Sequence, residues 1–193
     1  MTVFRDHTPK RQAITKEVGS HTDHREDLMK DFQRRCGYCD DCDTWRFAWF
    51  EIDHFVPQKH LKAIKTTDYA NLVYACRSCN NSKRAHWPTG SETIHNQNDE
   101  GFIDPCDNTY NDQFSRSTSG RIVLQTKIGE WIYNKLKLYK PQHEIIWNIE
   151  QLDILIAECK DLLNSLPDSA IKDRLLLLYD QYHSYTKQLG NIN

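Results

Sequence analysis

At 193 residues, 38% of them hydrophobic, the chain can bury one modest core, or a small metal-held module with a helical appendage. A formal charge of −2 argues against a free-standing protein that grips nucleic acid through a broad basic surface, and no apolar run approaches a membrane span. Seven cysteines, an odd number behind an N-terminus too polar for a signal peptide, point to a reducing cytoplasm and to metal rather than disulfides.

In chain order, residues 1–24 are polar and without sustained period, and read as an irregular arm. Asp23 to Arg35 reads as a helix with Leu28, Met29 and Phe32 as its apolar stripe, so residues 1–35 form an N-terminal arm and helix. Cys36-Gly-Tyr-Cys39 follows. The stretch from Trp45 to His54 reads as a strand, with Phe47, Trp49 and Glu51 on one face and Ala48, Phe50, Ile52 and His54 on the other. Its aromatic residues are expected in the core, and Pro57, which cannot donate to a ladder, ends it.

Asn71-Leu-Val-Tyr-Ala-Cys76 is a short apolar run into a second turn, Cys76-Arg-Ser-Cys79, after which Asn80 to Arg84 opens a short helix. Residues 86–120, rich in Thr, Asn, Asp, Ser and Gly, read as a long loop with an apolar anchor at Gly101-Phe-Ile-Asp-Pro-Cys106. Helical spacing returns from Thr126 to Tyr139 through Ile128, Ile132 and Leu136. Ile145, Ile149, Leu152, Ile156, Cys159, Leu163 and Leu166 then alternate four and three apart, as do Ile171, Leu175, Leu178, Tyr182, Tyr185 and Leu189 after Pro167-Asp168. That pattern predicts an antiparallel helical hairpin.

Two C-x2-C turns supply four thiolates, enough for a tetrahedral structural zinc site of Cys36, Cys39, Cys76 and Cys79. Cys42 continues the first spacing and is the alternative fourth ligand, while Cys106 and Cys159 read as structural. Histidines other than His54 read as solvent residues, with His60 and His86 close enough in sequence to reach a site.

Asp53-His54, then Asn71-Leu72, then Cys79-Asn80-x-x-Lys83 resemble the three signature parts of the HNH, or ββα-metal, endonucleases, and the CxxC pairs resemble the zinc-stabilised branch of that family. The resemblance implies an α+β fold: a small zinc-stabilised nuclease core over residues 36–90 and a mainly α-helical extension over residues 91–193 that ends in the hairpin. It implies that His54 is the general base, that Asp53 and Asn80 hold one divalent cation, and that Asn71 fixes the loop that orients His54. Many members carry histidine where this chain has Asn80, which bears on the choice of metal.

These roles make physical sense. A phosphodiester needs a base near neutrality and a cation for the developing charge. A carboxylate and an amide oxygen are hard ligands suited to Mg²⁺ or Mn²⁺, whereas thiolates take zinc. Lys83 or Arg84, on the short helix, is expected to contact a substrate phosphate.

Residues 141–193 carry 4 basic and 8 acidic side chains, so this end cannot lie along a phosphate backbone. Nucleic acid, expected to be DNA, is then held locally or with help from another subunit. Gly101-Phe-Ile-Asp-Pro, Gly120-Arg-Ile-Val and Thr126 to Leu138 resemble the extension of HNH subunits in bacterial anti-phage systems of the Septu and retron-associated kinds. That likeness implies a defence role beside an ATPase subunit. Leu162, Leu176 and Leu177 lie off the hairpin seam and offer surface for the nuclease core, a second copy in a homodimer, or another protein. The rival readings are a non-catalytic zinc module that binds nucleic acid or protein, and a helical interaction subunit.

Overall fold

The computed structural model describes residues 2–166 and 168–192, so the expected Pro167 turn lies outside the described residues, as does the side chain of Phe47. The elements are β1 (Thr2–Val3), α1 (Arg25–Asp31), β2 (Phe50–His54), β3 (Leu72–Cys76), α2 (Arg77–Lys83), β4 (Asn96–Gln97) and β5 (Glu100–Gly101). They continue with β6 (Phe114–Arg116), β7 (Ile122–Leu124), α3 (Lys127–Leu136), α4 (Pro141–Ser165) and α5 (Ser169–Gly190). The fold is α+β, in two compact units: Met1–Thr118 with Ile122–Tyr139, and Ser119–Arg121 with Lys140–Asn193.

The centre of the first unit is an antiparallel hairpin in which β2 and β3 pair from Phe50 opposite Cys76 to His54 opposite Leu72. All five residues of β3 are buried, because α1 packs on β3 while α2 packs on both strands and on α3. Leu28 and Phe32 of the first helical segment are fully buried there. That helix stops at Asp31 where Gln33 and Arg34 take φ of 51° and 59°, which turns the chain into the first cysteine pair. Close approach explains Gly37: a Cβ there would fall 2.7 Å from a Phe32 ring carbon and 2.8 Å from a Val73 methyl.

The expected strand from Trp45 begins later. Phe47–Trp49 is a turn of 3₁₀ helix, and Trp49 is 39% exposed rather than in the core. Its ring is flanked by the Arg46 and Arg77 guanidiniums at 4.7 and 5.8 Å, so two cations cover a face that burial would otherwise hide.

The polar arm is irregular but tied down. β1 pairs with β6, which pairs with β7. Arg5 donates to the carbonyls of Gly37 (2.9 Å) and Pro105 (2.6 Å), and Arg11 donates to Leu72 O and pairs with Asp104 at 2.9 Å. Arg116, 2% exposed, donates to Phe4 O and Cys39 O. Buried guanidiniums with backbone acceptors thus hold segments that have no hydrophobic period. Within the expected loop, β4 and β5 form a short ladder.

In the second unit, α4 and α5 pack along Leu152, Ile156, Cys159 and Leu178, joined by Ile171, Leu175, Tyr182 and Tyr185. Pro141 and Ile145 at the start of α4 share a cleft with Tyr185 and Gln188 near the end of α5, so the pair is antiparallel. Pro141 opens α4, and Asp168 caps α5 by accepting the Ala170 N–H at 2.7 Å. Leu162, Leu166, Leu176 and Leu177 are more than half exposed. No described helix is long and apolar enough to cross a membrane.

Replacing the fully buried Ile132 with alanine is expected to cost about 2–5 kcal/mol, while Leu176→Ala on the open face of α5 stays within about 0.5 kcal/mol. Urea unfolding of the two variants checks this, and equal costs would contradict the packing described.

Candidate active site and metal centre

Cys36, Cys39, Cys76 and Cys79 are buried, and their sulfurs lie within 4.8 Å of one another. Cys39 Sγ and Cys76 Sγ are 3.7 Å apart. Tetrahedral zinc with bonds of about 2.3 Å would set its thiolates about 3.8 Å apart, whereas a disulfide needs about 2.05 Å. The four residues fit zinc. Cys42 is buried outside this group, its backbone bridged to Arg35.

Local structure explains the convergence. The first pair lies on the turn after α1, and the second straddles the junction of β3 and α2. Cys76 itself caps α2, its sulfur accepting the Cys79 N–H at 3.5 Å. Burial pushes the Cys39 and Cys79 thiols well up. For Cys36 burial pushes the same way, but hydrogen bonds from Cys39, Cys76 and Cys79 outweigh it and hold that thiol well below its usual range. A bound cation would favour all four as thiolates, since its charge offsets the cost of burying theirs.

The polar residues divide by strand alternation. Glu51 and Asp53 share the face of β2 that meets α2. Asp53 Oδ2 accepts from the Tyr38 hydroxyl at 2.5 Å and lies 2.9 Å from Lys83 Nζ. Burial raises the Asp53 carboxyl above its ordinary value, opposed by the Lys83 ammonium and the Tyr38 hydrogen bond. Both contacts fall on Oδ2 rather than Oδ1. Asn80 donates its Nδ2 to Glu51 Oε2 at 2.7 Å, and Arg77 holds the other Glu51 oxygen at the same distance. With its amide nitrogen committed, Asn80 turns Oδ1 away from Glu51. A carboxylate and an amide oxygen are hard donors, of a kind that suits Mg²⁺ or Mn²⁺ better than zinc.

Lys83 departs from the expected phosphate contact. Its side chain is fully buried, and Nζ donates to His54 O at 2.7 Å besides pairing with Asp53, so the ammonium faces inward as a counter-charge. Arg84, at φ 48°, is exposed at the end of the helix.

His54 closes β2. Its Nε2 lies 2.7 Å from Thr66 O. A carbonyl only accepts, so Nε2 carries the proton in that bond, and in the neutral ring Nδ1 is the nitrogen with the lone pair. Gln58 Nε2 is 3.4 Å from either ring nitrogen, and the His21 ring stands 4.5 Å away. Partial burial, then the nearness of His54, lowers the His21 pKa. Asn71 clamps the following loop: Val56 N–H donates to its Oδ1 at 2.8 Å and its Nδ2 donates to Val56 O at 3.1 Å. Lys83 joins the two sets, bonded to both Asp53 and the His54 carbonyl.

Glu51, Tyr38, Gln58, Thr66 and His21 join this site beyond the residues expected from sequence. Glu51 had a signal, because residues two apart on a strand share a face; the others meet the site only through tertiary contacts. His24, expected in solvent, is buried edge-on to Tyr69 at 5.0 Å.

Residues 36–86, about a quarter of the chain, match the model of the HNH endonuclease family. No curated protein and no solved structure matches the chain. The family match supports a nuclease domain that depends on metal and binds nucleic acid.

Cys76→Ser is expected to cut bound zinc from about one per chain to almost none and to lower the melting temperature sharply, since structural zinc adds folding energy directly. Cys106→Ser, outside the cluster, should leave both unchanged. Metal analysis with thermal unfolding checks the pair, and unchanged zinc in Cys76→Ser would contradict the assignment.

Proposed function

We propose that the chain is a zinc-stabilised HNH endonuclease that hydrolyses DNA phosphodiester bonds with one Mg²⁺ or Mn²⁺ ion. The observation that carries this reading is His54 at the end of β2, held through Nε2 by Thr66 O, with Nδ1, 3.4 Å from the Gln58 amide, as the nitrogen to accept a proton. His54 takes the proton of the attacking water at Nδ1. Asn71 keeps the loop after β2 in place and so fixes where that ring stands. Asp53 and Asn80 are the ligands for the catalytic cation, which when bound neutralises charge building on the phosphate oxygens.

Glu51 positions Asn80, and Lys83 positions Asp53 while compensating its charge. Of Lys83 and Arg84, Arg84 is the exposed one and meets a phosphate. Cys36, Cys39, Cys76 and Cys79 hold the zinc that fixes α2 against the hairpin.

The reading extends to a cytoplasmic role in bacterial anti-phage defence beside an ATPase subunit. Support for that extension comes from the likeness of residues 101–138 to defence-system HNH proteins and from the acidic helical hairpin, which cannot itself carry DNA.

His54→Ala is expected to lower metal-dependent DNA cleavage by about 10²–10⁴-fold with zinc content and fold retained. Normal cutting by that variant would remove the base assignment. DNA affinity without any Mg²⁺-dependent cutting by the wild type would favour the non-catalytic zinc module. Glu51→Gln is expected to raise the Mg²⁺ concentration for half-maximal cutting by about tenfold or more, through misplacement of Asn80. A Mg²⁺ titration checks this, and an unchanged midpoint would remove Glu51 from the site.

A further inference from the structure

Between His54 and Asn71 the chain makes an anion-binding turn that the catalytic reading does not use. Three successive backbone N–H groups, of Lys62, Ala63 and Ile64, converge on one oxygen, Glu92 Oε1, at 3.0, 3.1 and 2.7 Å, and Ala63 also reaches Oε2 at 3.1 Å. Consecutive N–H groups aimed at one point form a concave nest of partial positive charge, a common cradle for phosphate oxygens. These N–H groups hold the Glu92 carboxyl below its ordinary range. Lys59, Lys62 and Lys65 flank the nest and are exposed, with no acidic residue from 54 to 67, so the local field is basic in a chain of charge −2.

The nest is beside the proposed chemistry. Thr66, two residues beyond Ile64, supplies the carbonyl that holds His54. Two residues of chain span at most about 7 Å, so a phosphate in the nest would belong to the strand being cut or to its close neighbour. Glu92 comes from a different segment, anchored by buried Trp87, whose Nε1 donates to Ser91 O at 2.7 Å. The carboxylate therefore reaches the nest from a loop 28 to 30 residues away and sits where an anion is wanted.

We propose that the N–H groups of Lys62, Ala63 and Ile64, with the flanking lysines, bind a backbone phosphate of the DNA substrate, and that Glu92 fills this site until the phosphate displaces it. This rests on the nuclease reading and adds a substrate contact to it. Glu92 lowers affinity by competition, because only the fraction of molecules with the carboxylate withdrawn can take the phosphate there.

The test measures binding of a fluorescein-labelled DNA duplex to the zinc-loaded full chain, with Ca²⁺ in place of Mg²⁺ to prevent cutting. Wild type is compared with Glu92→Gln and with Glu100→Gln, which removes the same charge from an exposed site on β5. Glu92→Gln should tighten binding on the order of three- to tenfold beyond the control and steepen the salt dependence by about one phosphate contact. A gain no larger than that of Glu100→Gln, or weaker binding, overturns the proposal.

Amide NMR with inorganic phosphate reads the site directly. The Lys62, Ala63 and Ile64 signals should shift at lower phosphate concentration in Glu92→Gln than in wild type, and no shift in either overturns the proposal. Equal DNA binding by all three proteins removes this site alone, whereas no DNA binding by any of them removes the nuclease reading together with it.

Discussion

Four sulfurs, two from the turn after α1 and two from the junction of β3 and α2, are the constraint on which the first unit depends. β2 and β3 are five residues each, and a lone two-stranded hairpin of that size is marginal in water. The cysteine cluster ties the turn after α1 to the junction of β3 and α2, and Cys76 is a member of the cluster and the cap of α2 together. Because α2 carries Asn80 and Lys83, the cysteine cluster fixes where these two side chains meet Glu51 and Asp53 of β2. Buried arginines complete the frame by holding the arm and the first knuckle through carbonyls rather than apolar contacts.

Charge is handled economically around β2. Asp53 is buried, and an isolated buried carboxylate would protonate rather than stay charged. Lys83, also buried, supplies the opposite charge and the bond to His54 O, so one ammonium steadies both sides of the strand end. Glu51 does the same for Asn80, with Arg77 balancing it. Each proposed functional group is thus oriented by a neighbour that never needs to touch substrate, which is how a small site keeps its geometry.

Local spacing made part of this legible. The two CxxC pairs announce the cysteine cluster, and the four-three spacing after residue 140 announces the helical hairpin, because both signals repeat within a few residues. What was hidden depends on distant partners. The arm has no period since its anchors are Arg5 and Arg11 reaching carbonyls. Trp49 reads as core, yet two guanidiniums cover it at the surface. Lys83 reads as a phosphate ligand until Asp53 is seen beside it, since a buried ammonium needs a counter-charge that sequence position does not reveal. Glu92 gives no signal, for its donors are backbone N–H groups that every residue but proline carries.

Separate jobs for two metals can be read from plasmid cleavage with zinc-loaded protein as Mg²⁺ or Mn²⁺ is added. The account predicts no cutting with zinc alone and cutting that rises and saturates with the added ion while zinc stays bound. Cutting at full rate without the added ion would contradict it, as would cutting that appears only when zinc is lost.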